Sequence, residues 1–147
     1  MDRAALVELI AERAASDAEF AKLVDERRAG DVKKDIDIAA ALSVGRKKLV
    51  PTEIGSGTVL ATLQGGGGAF LDALVQVGAV NRDVYWTMDL IKQGRLRIDL
   101  PAVRNGLEGL AQAVPALAGA VTALMTLGYA PDPISYADVS LALSVEA

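Results

Sequence analysis

Asp99–Gly128, DLPAVRNGLEGLAQAVPALAGAVTALMTLG, is the stretch that decides the fold. Val103, Leu107, Leu110 and Val114 recur at the spacing of one apolar face on an α-helix. Asp99 marks the start, and Pro101 takes a first-turn position, where its missing N–H costs little. Pro115 begins a partner helix with Leu117, Val121 and Leu124 inward, and Gly128 ends it. Two short helices that must bury facing Leu and Val stripes predict a helix-on-helix architecture.

The same period extends in both directions. Toward the N-terminus, Leu6, Leu9 and Ile10 form a short stripe. Ser16 with Glu19 makes a Ser-x-x-Glu capping box for a second helix that carries Phe20, Leu23 and Val24. Ala29-Gly30-Asp31 separates it from a third helix ending at about Leu42. Val44–Pro51 reads as a basic connection, since Pro51 pushes Val50 out of the α region, and Thr52 is a cap for a segment ending near Gln64. The tract Gly65–Gly68 reads as a flexible turn into a helix with Phe70, Leu71, Leu74 and Val77. Asn81 caps the next helix, Val84, Met88 and Ile91 face inward, and Gly94 stops it. Ser135 and Asp138 open a last helix through about Leu143. The predicted fold class is all-α, a compact bundle of about seven to nine short helices joined by Gly/Pro turns, with no sheet beyond a two-stranded ribbon.

Charge is uneven. Residues 1–48 carry ten acidic and ten basic side chains, whereas residues 49–147 carry nine and five. This gradient suggests a charged N-terminal helical segment over residues 1–30 and a helical core domain over 31–147. Hydrophobic residues make up 52% of the chain, which excludes a disordered tail, and aromatics only 4%, so the core is built from Ala, Leu, Val and Ile. A net charge of −4 and a pI near 4.8 argue against coating nucleic acid or an anionic membrane. The N-terminus reads as an amphipathic helix rather than a signal peptide. Gly109–Pro131 is free of charge and long enough to span a bilayer. It is rich in Ala, Gly and Thr, contains Pro115 and lacks a basic flank beyond Arg104, so a buried helix after a turn is the reading.

The 147 residues contain no histidine and no cysteine. That removes Ser-His-Asp and Cys-His machinery, the usual zinc sites and disulfides. The expectation is a protein that is not an enzyme and needs neither metal nor cofactor. Gly65–Gly68 before a helix has the geometry of a phosphate cradle, but no Gly-Lys-Ser/Thr accompanies it. Asp31, Asp35 and Asp37 cluster without the glycine and terminal glutamate of a calcium loop, so they read as helix-start charges.

Two patterns bear on binding. Ile38–Leu49 (IAAALSVGRKKL) has the offsets of a helix-turn-helix, which would put Arg46, Lys47 and Lys48 at the start of a recognition helix. Pro51 would cut that helix to under two turns. Tyr85 and Trp86 lie beside the inward stripe of Val84, Met88 and Ile91, so Trp86, the only tryptophan, projects from a flank. The plainer reading closes a second core layer; the sharper one anchors a partner, with Arg95 and Arg97 as a polar rim. An apolar surplus left exposed would mark such an interface.

DIDIAAAL (Asp35–Leu42), GRKKLVPTEIGSGTVL (Gly45–Leu60), AFLDAL (Ala69–Leu74), QGRLRID (Gln93–Asp99) and APDPI (Ala130–Ile134) carry a family resemblance. Together, over about residues 31–143, they resemble a group of small proteins encoded by tailed bacteriophages and prophages, often among virion genes. Gly65–Gly68 departs from that pattern in being richer in glycine. No catalytic motif carries over. The resemblance implies a virion structural or accessory protein that contacts head, neck or tail components, a head–tail connector among them. Its partners would be other virion proteins, with a homo-oligomer compatible and neither nucleic acid nor membrane expected. It would reside in the virion, and in host cytoplasm during assembly. The alternative is a phage-encoded helix-turn-helix regulator acting through Arg46, Lys47 and Lys48.

Overall fold

A computed structural model describes residues 1–144. Among them, nine α-helices alternate with turns and four very short strands. The helices are α1 (Arg3–Ser16), α2 (Ala18–Arg28), α3 (Lys34–Ser43), α4 (Ser56–Leu63), α5 (Gly67–Gly78), α6 (Arg82–Lys92), α7 (Pro101–Ala113), α8 (Ala118–Thr126) and α9 (Tyr136–Leu143). The strands β1 (Lys47–Leu49), β2 (Glu53–Ile54), β3 (Leu96–Arg97) and β4 (Tyr129–Pro131) make only two-stranded pairs, β1 with β4 and β2 with β3. The protein is all-α.

Two units make up the chain, one formed by Met1–Lys47 together with the residues from Pro131 onward, the other by Lys48–Ala130. A boundary at residue 30 does not separate a charged segment from a core. Instead α1, α2, α3 and α9 share one core, in which Leu6, Ile10, Phe20, Val24, Ile38, Leu42, Val139 and Leu143 are buried together. Charge patterning missed this because the charged residues sit on the outer faces of helices whose inner faces are ordinary Leu, Ile, Phe and Val.

Within that unit the cap of α2 is Asp17 rather than Ser16. The Asp17 carboxylate accepts the Phe20 N–H at 3.1 Å, which holds its carboxyl below the usual range. Ser16 instead ends α1, its Oγ donating to the Glu12 carbonyl at 3.2 Å. Arg27 of α2 donates to Asp35 of α3 at 2.5 Å, with the Asp35 side chain 5% and the Arg27 side chain 12% exposed. Asp37 faces Lys34, and among the described residues no three carboxylates gather where a cation could sit. Ser43 joins α3 to the segment before α9: its Oγ accepts the Ile134 N–H at 2.9 Å and donates to the Ala39 carbonyl at 2.6 Å.

The second unit builds its core from Ile54, Val59, Phe70, Leu74, Met88, Ile91, Leu96, Ile98, Leu107, Leu110, Leu117, Val121 and Leu124. The stripe read from Asp99–Gly128 is thus the inner face of α7 and α8, with Pro101 in the first turn of α7 and Pro115 starting a short 3-10 turn before α8. Thr52 caps no helix; its N–H donates to Asp99 Oδ1 at 2.9 Å, and α4 begins after Gly55. Asp99 is thereby drawn away from capping α7. The glycine tract is not a loose loop. Gln64–Gly66 form a 3-10 turn and Gly67 already opens α5. A Cβ on Gly67 would lie 2.8 Å from Leu60 Cα and 3.1 Å from the Val59 carbonyl, so α5 leaves this corner at a separation only glycine permits.

The apolar run Ser56–Gly78 is long enough to cross a membrane by length and composition alone. It is broken at Gln64–Gly66 into helices of eight and twelve residues, roughly 12 and 18 Å long against a hydrocarbon thickness of about 30 Å. The charge-free Gly109–Pro131 likewise folds as the end of α7, a turn, α8 and β4.

Candidate protein interface

The best-defined exposed feature is the outer face of α6. Its N-terminus is fixed by Asn81, whose Oδ1 accepts the N–H groups of Asp83 at 3.0 Å and Val84 at 3.3 Å. Asp83 in the first turn and Lys92 in the last suit the helix dipole. Gly94, at φ +71°, ends the run in the left-handed region that glycine enters without penalty. Met88 and Ile91 are buried and Val84 packs on the same core. With that face committed inward, Arg82, Trp86 and Leu90 stand outward at steps of four residues, with Tyr85 on the flank.

Trp86 is 53% exposed and Tyr85 47%. The second-layer core position for Trp86 is therefore not the one it occupies, because Val84, Met88 and Ile91 fill the inner face and leave the indole outside. The two rings meet edge to face, centroids 5.2 Å apart at 85°. The Arg82 guanidinium lies over both, 5.0 Å from the Tyr85 ring and 5.6 Å from that of Trp86. Each such exposed contact contributes about 0.5–1 kcal/mol, which biases the rings toward this pose without covering them. Beside Tyr85, a cavity of about 110 Å³ opens between α5 and α6, lined by Leu74, Val75, Gly78, Met88 and Asp89.

The cation over the aromatic pair is Arg82, while Arg95 and Arg97, expected as a polar rim, follow the end of α6. Arg82 was legible as the residue three and four positions before the two rings, but without their orientation nothing singled it out. Arg95 is exposed just after α6. Arg97 on β3 opposes Glu53 of β2 and makes a two-pronged contact with Asp99, at 2.7 and 2.6 Å. Asp99 is held well below the usual carboxylate range, first by Arg97 and then by the Thr52 N–H, and Arg97 is correspondingly raised. Because the folded-state carboxyl is depressed, its contribution is fully present above the unfolded value of about 4 and is lost as pH falls below it. Asp99→Asn is expected to flatten the fall in melting temperature between about pH 4 and 2, with an unchanged slope above pH 5. An acid limb as steep as that of the parent would refute the assignment.

The basic triplet does not open a recognition helix. After α3 ends at Ser43 the chain turns at Gly45 and runs as β1. Arg46 reaches Asp132, its Nη2 2.7 Å from the carboxylate, and Lys47 and Lys48 lie exposed on the strand. Pro51 and the pairing of β1 with β4 outweigh the helical offsets of residues 38–49.

No family model matches the chain, and neither a curated protein nor a solved structure matches it.

Proposed function

We propose that the protein is a structural or accessory component of a tailed-bacteriophage particle, acting by protein–protein contact through the outer face of α6. The observation that carries the contact is the half-exposed Tyr85–Trp86 pair pinned under Arg82. About 100 Å² of indole left in water corresponds to roughly 2.5 kcal/mol available on docking. The edge-to-face contact and Arg82 bias the rings toward one pose, which lowers the side-chain entropy lost when a partner covers them. A groove of about 210 Å³ lies between α6 and α7, lined by Val77, Val84, Gly106, Gly109 and Ala113 with Asn81 and Asp83 at its edge. Aromatics together with arginine are the residues enriched in interface cores. The particle as the place of action is supported by the resemblance of residues 31–143 to proteins encoded among virion genes.

Trp86→Ala tests this directly. The variant is expected to melt within a few degrees of the parent, a change of under about 1 kcal/mol, while failing to enter particles as judged by mass spectrometry of purified virions. A large drop in melting temperature would make Trp86 a core residue. Normal incorporation of the variant would remove α6 as the docking face, and absence of the parent protein from virions and assembly intermediates would remove the particle.

A further inference from the structure

We propose that the outer face of α6 receives a second copy of this chain, the two helices antiparallel about a two-fold axis between Tyr85 and Trp86. This rests on the reading of α6 as a contact surface and names its occupant. The stretch Arg82-Asp83-Val84-Tyr85-Trp86-Thr87-Met88-Asp89 sets opposite charges three residues before Tyr85 and three after Trp86. Seven residues are two helical turns, so Arg82 and Asp89 stand on one side of the cylinder, about 10.5 Å apart, with the aromatic pair between them.

An isologous contact requires that if one residue meets another across the axis, the reverse also holds. Antiparallel α6 helices satisfy this twice: Arg82 meets the other copy's Asp89 at both ends, and Tyr85 meets the other copy's Trp86 at the centre. A parallel arrangement would set Arg82 on Arg82 and Asp89 on Asp89. Both charges are already placed for the task. Arg82 is held over the rings, and Asp89 stands on the rim of the cavity beside Tyr85, accepting from Gln93 at 2.6 Å. Val75 on that rim is 52% exposed and gives the incoming indole an apolar wall. One face of an eleven-residue helix is smaller than the roughly 800 Å² per partner of a standard interface, so free dimers are weak and copies held side by side on a larger assembly pair readily.

The test uses charge reversal in the full chain, followed by sedimentation velocity and by the emission of its only tryptophan. The parent is expected to be monomeric near about 1 µM and to dimerise, with a blue shift of Trp86 emission, by about 100 µM. Arg82→Asp and Asp89→Arg should each weaken self-association at least tenfold, because like charges then face each other. An equimolar mixture of the two variants should restore the dimer, since positions 82 and 89 then carry opposite charges at both ends of the mixed pair. Should either variant lose its fold, Arg82→Glu with Asp89→Lys carries the same comparison. A parent that stays monomeric, single variants that dimerise like the parent, or a mixture that stays monomeric would each overturn the proposal. A monomeric chain that still enters particles through Trp86 defeats self-pairing and leaves the docking face standing. One that obeys the charge rule but never enters particles does the reverse.

Discussion

Asp35→Ala is expected to cost about 3–5 kcal/mol, a large part of the roughly 5–15 kcal/mol that holds a domain folded. The substitution strands the Arg27 guanidinium, 2.5 Å from the carboxylate it loses and only 12% exposed, where water replaces that partner only in part. The pair bridges α2 and α3, so the penalty falls on the whole core that α1 and α9 complete. Urea denaturation should show a lowered midpoint with an unchanged slope. Replacing both partners, Arg27→Met with Asp35→Leu, should recover most of the loss, because an apolar pair of similar volume leaves no stranded charge. By contrast Arg13→Ala, which breaks the exposed pair with Asp17, is expected to stay within about 0.5 kcal/mol. Equal costs for Asp35→Ala and Arg13→Ala would show that burial does not set the strength of the first pair.

Gly67→Ala is expected to destabilise by about 1–3 kcal/mol, although it adds one methyl group and a better helix former. The added carbon meets Leu60 Cα and the Val59 carbonyl, and backbone atoms cannot swing aside as a side-chain tip can. Gly68→Ala, one residue later, meets nothing within 4 Å and should gain up to about 1 kcal/mol through helix propensity. Thermal melts of the two variants should therefore move in opposite directions. Movement in the same direction would mean that α4 and α5 do not meet at the Gly67 corner.

The helices were largely legible in the sequence because their signals are local. Asn81, Ser135, Pro101 and Gly94 act on donors and acceptors one to three residues away, and Val84, Met88 and Ile91 announce a buried face by spacing alone. What failed depended on distant residues. Asp99 has the pattern of a helix start but is claimed by the N–H of Thr52, 47 positions earlier. Residues 38–49 carry helix-turn-helix offsets, yet pairing with Tyr129–Pro131 draws Lys47–Leu49 into a strand. The tetraglycine has a composition that suits a loop, and only the approach of Leu60 shows that it is a corner. For the interface, spacing placed Trp86 on a flank but could not say whether another helix covers that flank. Arg82 became visible only with the ring geometry.

The division of the chain has a consequence for the order of its synthesis. Lys48–Ala130 is continuous in sequence, whereas the other unit is interrupted by it. Leu6, Ile10, Phe20 and Ile38 leave the ribosome before Lys48–Ala130, whereas Val139 and Leu143, which close their core, are made after it. At about 5–20 residues per second, roughly 80 intervening residues leave α1, α2 and α3 waiting some 4–16 s for α9. During that interval the apolar faces of α1, α2 and α3 stay open where Val139 and Leu143 are to pack, so a chaperone has its substrate in the residues made before Lys48.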